Sequence, residues 1–335
     1  MPEATGNASW RGRLFAALKI ALGMGLLWLL HRQGLLDPAR ILSALRNQPL
    51  WVGLAVTLHG ALFSMLGVRW WLVATRGGIP LRMATSQRLT FVSHFFSTCL
   101  PENGAGDLVK GVILSRMGPR FPDVLGTMAF DRVSGMAGLF LNWSLCMAAL
   151  AWQEPQVRPL LLPILPFSIA AATLLVGSLA ATSRLTSLAR NVSGRLSGRP
   201  LPKRIASASV TMLERMERCA GDPSTVVASL GISMAIQALF VVLALCAARS
   251  LSLQIGFLDA GAVLPMAALA NSLPLSPGGL GVGESVASVA MSRLGHPPEA
   301  GAELMIVVRI AVVVWALFGG LVYAFTSFAP RRGSP

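Results

Sequence analysis

Apolar and polar positions alternate along this chain in long blocks. Apolar runs cover residues 14–30, 50–73, 124–152, 160–181, 225–248 and 300–325, separated by segments rich in Arg, Pro and Gly. At ~1.5 Å of rise per residue, runs of this length form helices that cross a hydrocarbon core ~30 Å thick. Two further apolar stretches, 89–117 and 257–296, are interrupted near their middles. The first is broken by Pro101-Glu-Asn-Gly-Ala-Gly-Asp107, the second by Pro274, Pro277 and a glycine-rich turn that ends at Glu284. Proline removes an amide donor and pushes the preceding residue out of the helical region, so each stretch becomes two half-helices. Neither arm is long enough to span, and the pattern predicts a pair of re-entrant hairpins. Such breaks are tolerated at membrane depth only where protein or a water-filled cavity covers them.

The charges orient these elements. Arg69, near the end of the second run, and Arg76, Arg82 and Arg88 after it mark a cytoplasmic side, and Trp51 and Trp70-Trp71 bracket that run as interfacial anchors. The loop 182–224 carries Arg184, Arg190, Arg195, Arg199, Lys203, Arg204, Arg215 and Arg218 against Glu214, Glu217 and Asp222. By the positive-inside rule this loop is cytoplasmic, and so are both termini, the last marked by Arg331 and Arg332. The mildly basic residues 31–49 fall on the outer side, against that trend. Within the loop, Ile205, Val210, Leu213 and Met216 keep near-helical spacing, which suggests an amphipathic helix on anionic lipid of the inner leaflet. The expected fold is an all-α integral membrane protein of the plasma (inner) membrane, with about six full transmembrane helices and two re-entrant helical hairpins.

The two hairpins repeat one another. Residues 104–118, GAGDLVKGVILSRMG, lie over 281–295, GVGESVASVAMSRLG, at one offset of 177 residues. Gly104 falls on Gly281, Gly106 on Gly283, Asp107 on Glu284 and Arg116 on Arg293. The same offset carries Arg132 onto Arg309, each inside the span after its hairpin. The first unit, residues 1–152 with hairpin 89–117, runs from inside to outside. The second, residues 153–335 with hairpin 257–296, runs back. That is an inverted-topology repeat, a plan in which secondary transporters place the substrate near the midplane.

Composition narrows the function classes. Of 335 residues, 54% are hydrophobic and 13% charged, which leaves no block polar enough for a soluble domain. A net charge of +14 is accounted for by basic loops and anionic lipid, so no nucleic-acid partner is expected. Arg11 and Arg13 before the first run look like the start of a signal peptide. Lys19 within the run, and the lack of a small-residue cleavage site after it, favour a retained span. Cys99, Cys146, Cys219 and Cys246 are isolated and read as small hydrophobes. The four histidines have no ligand spacing, so no metal or other cofactor is expected. Nucleotide-binding and hydrolytic signatures are absent, and no catalytic residue is assigned.

The candidate chemistry is carried by Asp107, Arg132, Glu284 and Arg309, with Gly104, Gly106, Gly281 and Gly283 around them. Asp107 and Glu284 each open a half-helix, where a carboxylate satisfies free amides and the dipole. On a static reading Arg132 and Arg309 simply neutralise them. On a functional reading they line a substrate cavity, since intramembrane charges face cavities or partners. Half-helix N-termini and arginine both suit a phosphate headgroup. Asp131 pairs locally with Arg132 or Arg116 on this reading. Lys110, opposite Ala287 in the second copy, is either solvated on the cytoplasmic side or a headgroup contact.

Ser276-Pro-Gly-Gly-Leu-Gly-Val-Gly-Glu284, with Leu100-Pro101, Gly104-Ala-Gly-Asp107 and Asp131-Arg132 upstream, resembles the flippase-like transmembrane region of lysylphosphatidylglycerol synthases. The resemblance implies movement of lipids between leaflets. The family's soluble aminoacyl-transferase domain has no counterpart after residue 325, so a stand-alone member without lipid aminoacylation is expected. Pro101-Glu102-Asn103 departs from the usual Pro-Gly start of the first motif, so the family's substrate is not carried over. The resulting expectation is a translocase for an anionic lipid or lipid-linked intermediate. The alternative is a membrane-embedded enzyme or an accessory subunit of lipid or glycolipid biosynthesis, with lipid-biosynthesis enzymes as partners of the basic loop.

Overall fold

The computed structural model describes residues 37–99, 104–195, 200–273, 275–276 and 280–326, together with Gly25, Trp28, His31 and Arg32. Among them there is no strand. Thirteen α-helices have described bounds: α1 Pro38–Asn47, α2 Pro49–Arg76, α3 Met83–Cys99, α4 Ala105–Arg116, α5 Phe121–Gln153, α6 Arg158–Leu161, α7 Leu165–Ala180, α8 Thr182–Arg195, α9 Pro200–Ala220, α10 Pro223–Ser250, α11 Phe257–Ser272, α12 Val282–Arg293 and α13 Ala300–Phe325. Proline opens α2 and α10 and sits in the first turn of α5, where its missing amide costs no hydrogen bond.

Four helices, α2, α5, α10 and α13, are long and apolar enough to cross a membrane. The run 160–181 is not one straight span. It divides into Pro155–Leu161 and Leu165–Ala180, bent by 57°. Pro163 and Pro166 stand at the break and deny the helix its amides there. Counting the bent pair as one gives five spans among the described residues. The first expected span lies outside the described residues apart from Gly25 and Trp28, as do Pro101 to Asn103, Pro274, Pro277 to Gly279 and the terminal arginines.

The interrupted stretches are antiparallel partners. α3 and α4 pack together, as do α11 and α12. With 17 and 16 residues, α3 and α11 reach only ~25 Å, and the 12-residue α4 and α12 ~18 Å, all short of a full crossing. Packing has an exchange symmetry. If α2 to α5 are swapped with α10 to α13 in order, contacting pairs map onto contacting pairs. Thus α3 meets α13 as α11 meets α5, α2 meets α13 as α10 meets α5, and α2 meets α10 across the middle. Small residues and indole donors make these seams. Gly319 lies against Phe91 of α3 and Gly261 against Cys146 of α5. Trp315 donates to the Val56 carbonyl and Trp143 to that of Ala262.

Two expectations about α2 are corrected. Trp70 is fully buried, not an interfacial anchor, and packs with Leu89, Leu114 and Val124. Arg69 is 5% exposed and marks no surface. Both sit one face inward from Trp71, whose indole donates to Leu81 O. The loop 182–224 forms α8 and α9. The spacing through Met216 is helical, but Met216 and Cys219 join Val73, Phe130 and Leu179 in the bundle. Arg215 anchors this packing through Asp123 (2.6 Å) and the Gly77 carbonyl (2.9 Å). Burial pushes the Cys219 thiol up to about 12, so it is an inert apolar filler.

Candidate functional site

The first half holds a cavity of about 230 Å³ whose lining includes Arg69, Asp107, Lys110, Asp131 and Arg132. Each of α2 to α5 contributes: Arg69 from α2, Ser93, His94 and Ser97 from α3, Asp107 and Lys110 from α4, and Asp131 and Arg132 from α5. The turn before α4 makes this possible. Gly104 adopts φ +90°, a left-handed conformation that costs glycine nothing. It aims the first turn of α4, with Asp107, back into the bundle. Gly106 then lets the arms touch, since a Cβ there would lie 2.0 Å from the Ser93 carbonyl oxygen.

Asp107 accepts from Arg132 through a close ion pair. The Arg132 side chain is 63% exposed and that of Asp107 26%, so this pair is open to its surroundings. Asp131, expected to pair with Arg132 or Arg116, does neither. Its two oxygens take one edge of the Arg69 guanidinium, accepting from Nε at 2.8 Å and a terminal nitrogen at 3.1 Å. The fork matches the carboxylate geometry of a bidentate pair. The other terminal nitrogen of Arg69 donates to Ser233 Oγ at 2.8 Å, a hydroxyl from α10. Gly135, one turn after Asp131, leaves room for the guanidinium, which would lie 2.9 Å from a Cβ there. Lys110 is buried at 6% exposure, with its ammonium 3.5 Å from the centroid of the Trp70 ring. That rules out the solvated alternative for Lys110. His94 lines the cavity, with Nε2 3.0 Å from the Val312 carbonyl of α13.

The equivalent groups of the second half are arranged otherwise. Glu284 is fully buried. One oxygen accepts from Arg309 Nε at 2.8 Å, and the other accepts the Gly281 amide at 2.9 Å. Gly281 is left-handed, with φ +81°. A Cβ at Gly283 would lie 2.2 Å from Asn271 Oδ1. Ala287, in the place of Lys110, has no exposure and packs against Gly301. The Arg309 side chain is 23% exposed. Asp259 and His296, 3.1 Å apart, tie the base of this hairpin. A larger cavity of about 610 Å³ is lined by apolar residues of α11, α12 and the bent pair, with Arg293 beside them, and neither acid–arginine pair lines it.

The structure thus gathers Asp107, Lys110, Asp131 and Arg132 at one cavity, and holds Glu284 and Arg309 together apart from it. Arg69, Trp70 and Ser233 were missed as site residues. Only Arg69 left a signal, a charge inside the run 50–73, which belongs by default to a cavity or a partner.

The family described as the lysylphosphatidylglycerol synthase TM region matches residues 16–320, nearly the whole chain. The chain belongs to this family. Membership in the lysylphosphatidylglycerol synthase TM-region family makes it a multi-pass membrane protein tied to lipid metabolism. No curated protein matches it. In this member of the family the charged cavity belongs to the hairpin of the first half.

Proposed function

We propose that the protein is a flippase-like translocase for an anionic lipid or lipid-linked intermediate of the plasma (inner) membrane. The observation that carries this is the charged cavity among apolar helices. Five Asp, Lys and Arg side chains, from α2, α4 and α5, converge on about 230 Å³, with His94 of α3 beside them. That is smaller than the ~300 Å³ at which pockets begin to enclose a drug-sized molecule. A phosphate headgroup fits such a space while its acyl tails stay in the bilayer. Arg132 is the exchangeable partner: it can leave Asp107 for a phosphate oxygen and return.

The exchange symmetry of the packing supports reading α2–α5 and α10–α13 as inverted repeats, with both termini cytoplasmic. On that reading the α8–α9 pair faces the cytoplasm. Leu185, Leu188 and Val192 are exposed along α8 beside Arg184 and Arg190, a face suited to anionic lipid of the inner leaflet.

The test is reconstitution into vesicles with fluorescent phosphatidylglycerol and a leaflet-specific quencher. The wild type should move the lipid between leaflets, and Arg132→Ala should slow it at least about tenfold while the protein remains folded. A wild type that moves none of a broad lipid panel rejects the proposal.

A further inference from the structure

The cavity holds three cations and two carboxylates, Arg69, Lys110 and Arg132 against Asp107 and Asp131. Their pairing leaves one charge over. Asp131 and Ser233 engage Arg69, and Asp107 engages Arg132. Lys110 is what remains. Among the described residues its ammonium has no carboxylate within ion-pair distance, and its close contact is the face of Trp70. The ring quadrupole attracts a cation but offers no acceptor for the three ammonium protons. Thr90 Oγ1, on the same cavity wall, is likewise buried without a hydrogen-bond partner among the described residues. Unpaired donors and an uncompensated buried cation are costly unless something completes them. Both are completed by one acceptor-rich group with a single negative charge.

We infer that Lys110 is the specificity-determining residue of this cavity, and that it selects a phosphodiester carrying one net negative charge. The inference rests on the translocase reading and says which headgroup it takes. Phosphate oxygens accept from Lys110 and Thr90. A headgroup amine brings back the positive charge that the phosphodiester neutralises, even where it takes Asp107 over from Arg132, so the cavity keeps one cation in excess. Zwitterionic and aminoacylated headgroups are therefore disfavoured. The volume also limits the ligand. About 230 Å³ is the space of nearly eight waters at ~30 Å³ each, room for a headgroup without its tails.

The purified full-length chain in detergent is titrated with fluorescent phosphatidylglycerol, phosphatidylcholine and an aminoacylated phosphatidylglycerol. Glycerophosphoglycerol, the deacylated diester, serves as soluble competitor. Phosphatidylglycerol should bind at least about tenfold more tightly than the other two lipids. Lys110→Met should bring the three within about twofold of one another, and Lys110→Arg should keep the preference. Equal affinities in the wild type, or a preference that survives in a folded Lys110→Met, overturn the inference. The wild-type comparison decides even if that variant does not fold. Competition by glycerophosphoglycerol as strong as by the intact lipid supports the selection by Lys110 but assigns the diester to a soluble source. Selective binding without movement between leaflets supports the assignment of Lys110 and overturns the translocase reading alone.

Discussion

The two hairpins carry the same glycine turn and the same acid–arginine pair, yet one pair is open and the other sealed. Arg132 has a 63% exposed side chain and a charged cavity around it. Glu284 has none of its side chain exposed and spends its second oxygen on the Gly281 amide. Three of the differences between the copies bear on this. Lys110 stands where the second copy has Ala287, aspartate stands where it has the longer glutamate, and Asp131 stands where it has Val308. The longer acid reaches back to cap its own helix, and the small alanine lets α13 close over it. A duplicated frame can therefore keep one copy as a fixed joint and leave the other free to exchange partners.

The sharpest challenge to this contrast is to break both pairs. Arg309→Ala leaves Glu284 charged and buried and should cost about 3–5 kcal/mol in thermal unfolding of the detergent-solubilised protein. Glu284→Gln combined with Arg309→Met should recover much of that loss. If Arg309→Ala were as mild as Arg132→Ala, the two pairs would be equivalent and the contrast would fall. Gly106→Ala comes next. Its Cβ meets a backbone carbonyl that cannot rotate away, so overpacking should cost about 1–3 kcal/mol. Gly283→Ala should cost less in the same melting experiment, because the Asn271 amide it meets can turn aside. Arg132→Ala should change stability by no more than about 1 kcal/mol, the range of exposed pairs, while lipid movement falls.

The smallest effect concerns how the two central helices begin. α10 starts at Asp222, which accepts from the Ser224 amide, whereas α2 starts at Gln48 without a side-chain cap. The Thr225 and Ser224 hydroxyls hold the Asp222 carboxyl down at about 2, against an ordinary 3.8. A depressed value means the cap contributes above pH 3.8 and is lost as the pH falls towards about 2. Melting curves across that window should slope for the wild type and flatten for Asp222→Asn. An identical slope in both would remove Asp222 as the difference between the helices.

Much of this was legible as pattern. The broken stretches, the offset of 177 and the pairing of Asp107 with Arg132 and Glu284 with Arg309 all follow from spacing along the chain. Arg69 escaped because it lies at the end of an apolar run near three other arginines, where a basic residue ordinarily reaches water. What keeps it inside is Asp131, 62 positions later, with Ser233 from the other half, and neither is a local signal. Trp70 failed for a related reason. A tryptophan near a helix end suits an interface equally well, and only the approach of α3 and α4 decides which face is covered. The bent pair at 155–180 was hidden by uniform apolarity, although Pro163 and Pro166 were visible as breakers.

The close glycine contacts have a mechanical consequence. Where Gly106 presses on α3 and Gly283 on α11, there is no clearance for one arm to slide or roll along the other. Each hairpin must therefore tilt as a single lever, pivoting at its glycine turn and its base. The second is strapped at that base by Asp259 and His296 and pinned at its tip by Arg309. Among the described residues the first is held at its tip by the ion pair of Arg132 with Asp107, so on the translocase reading a ligand that draws Arg132 away would also release the lever.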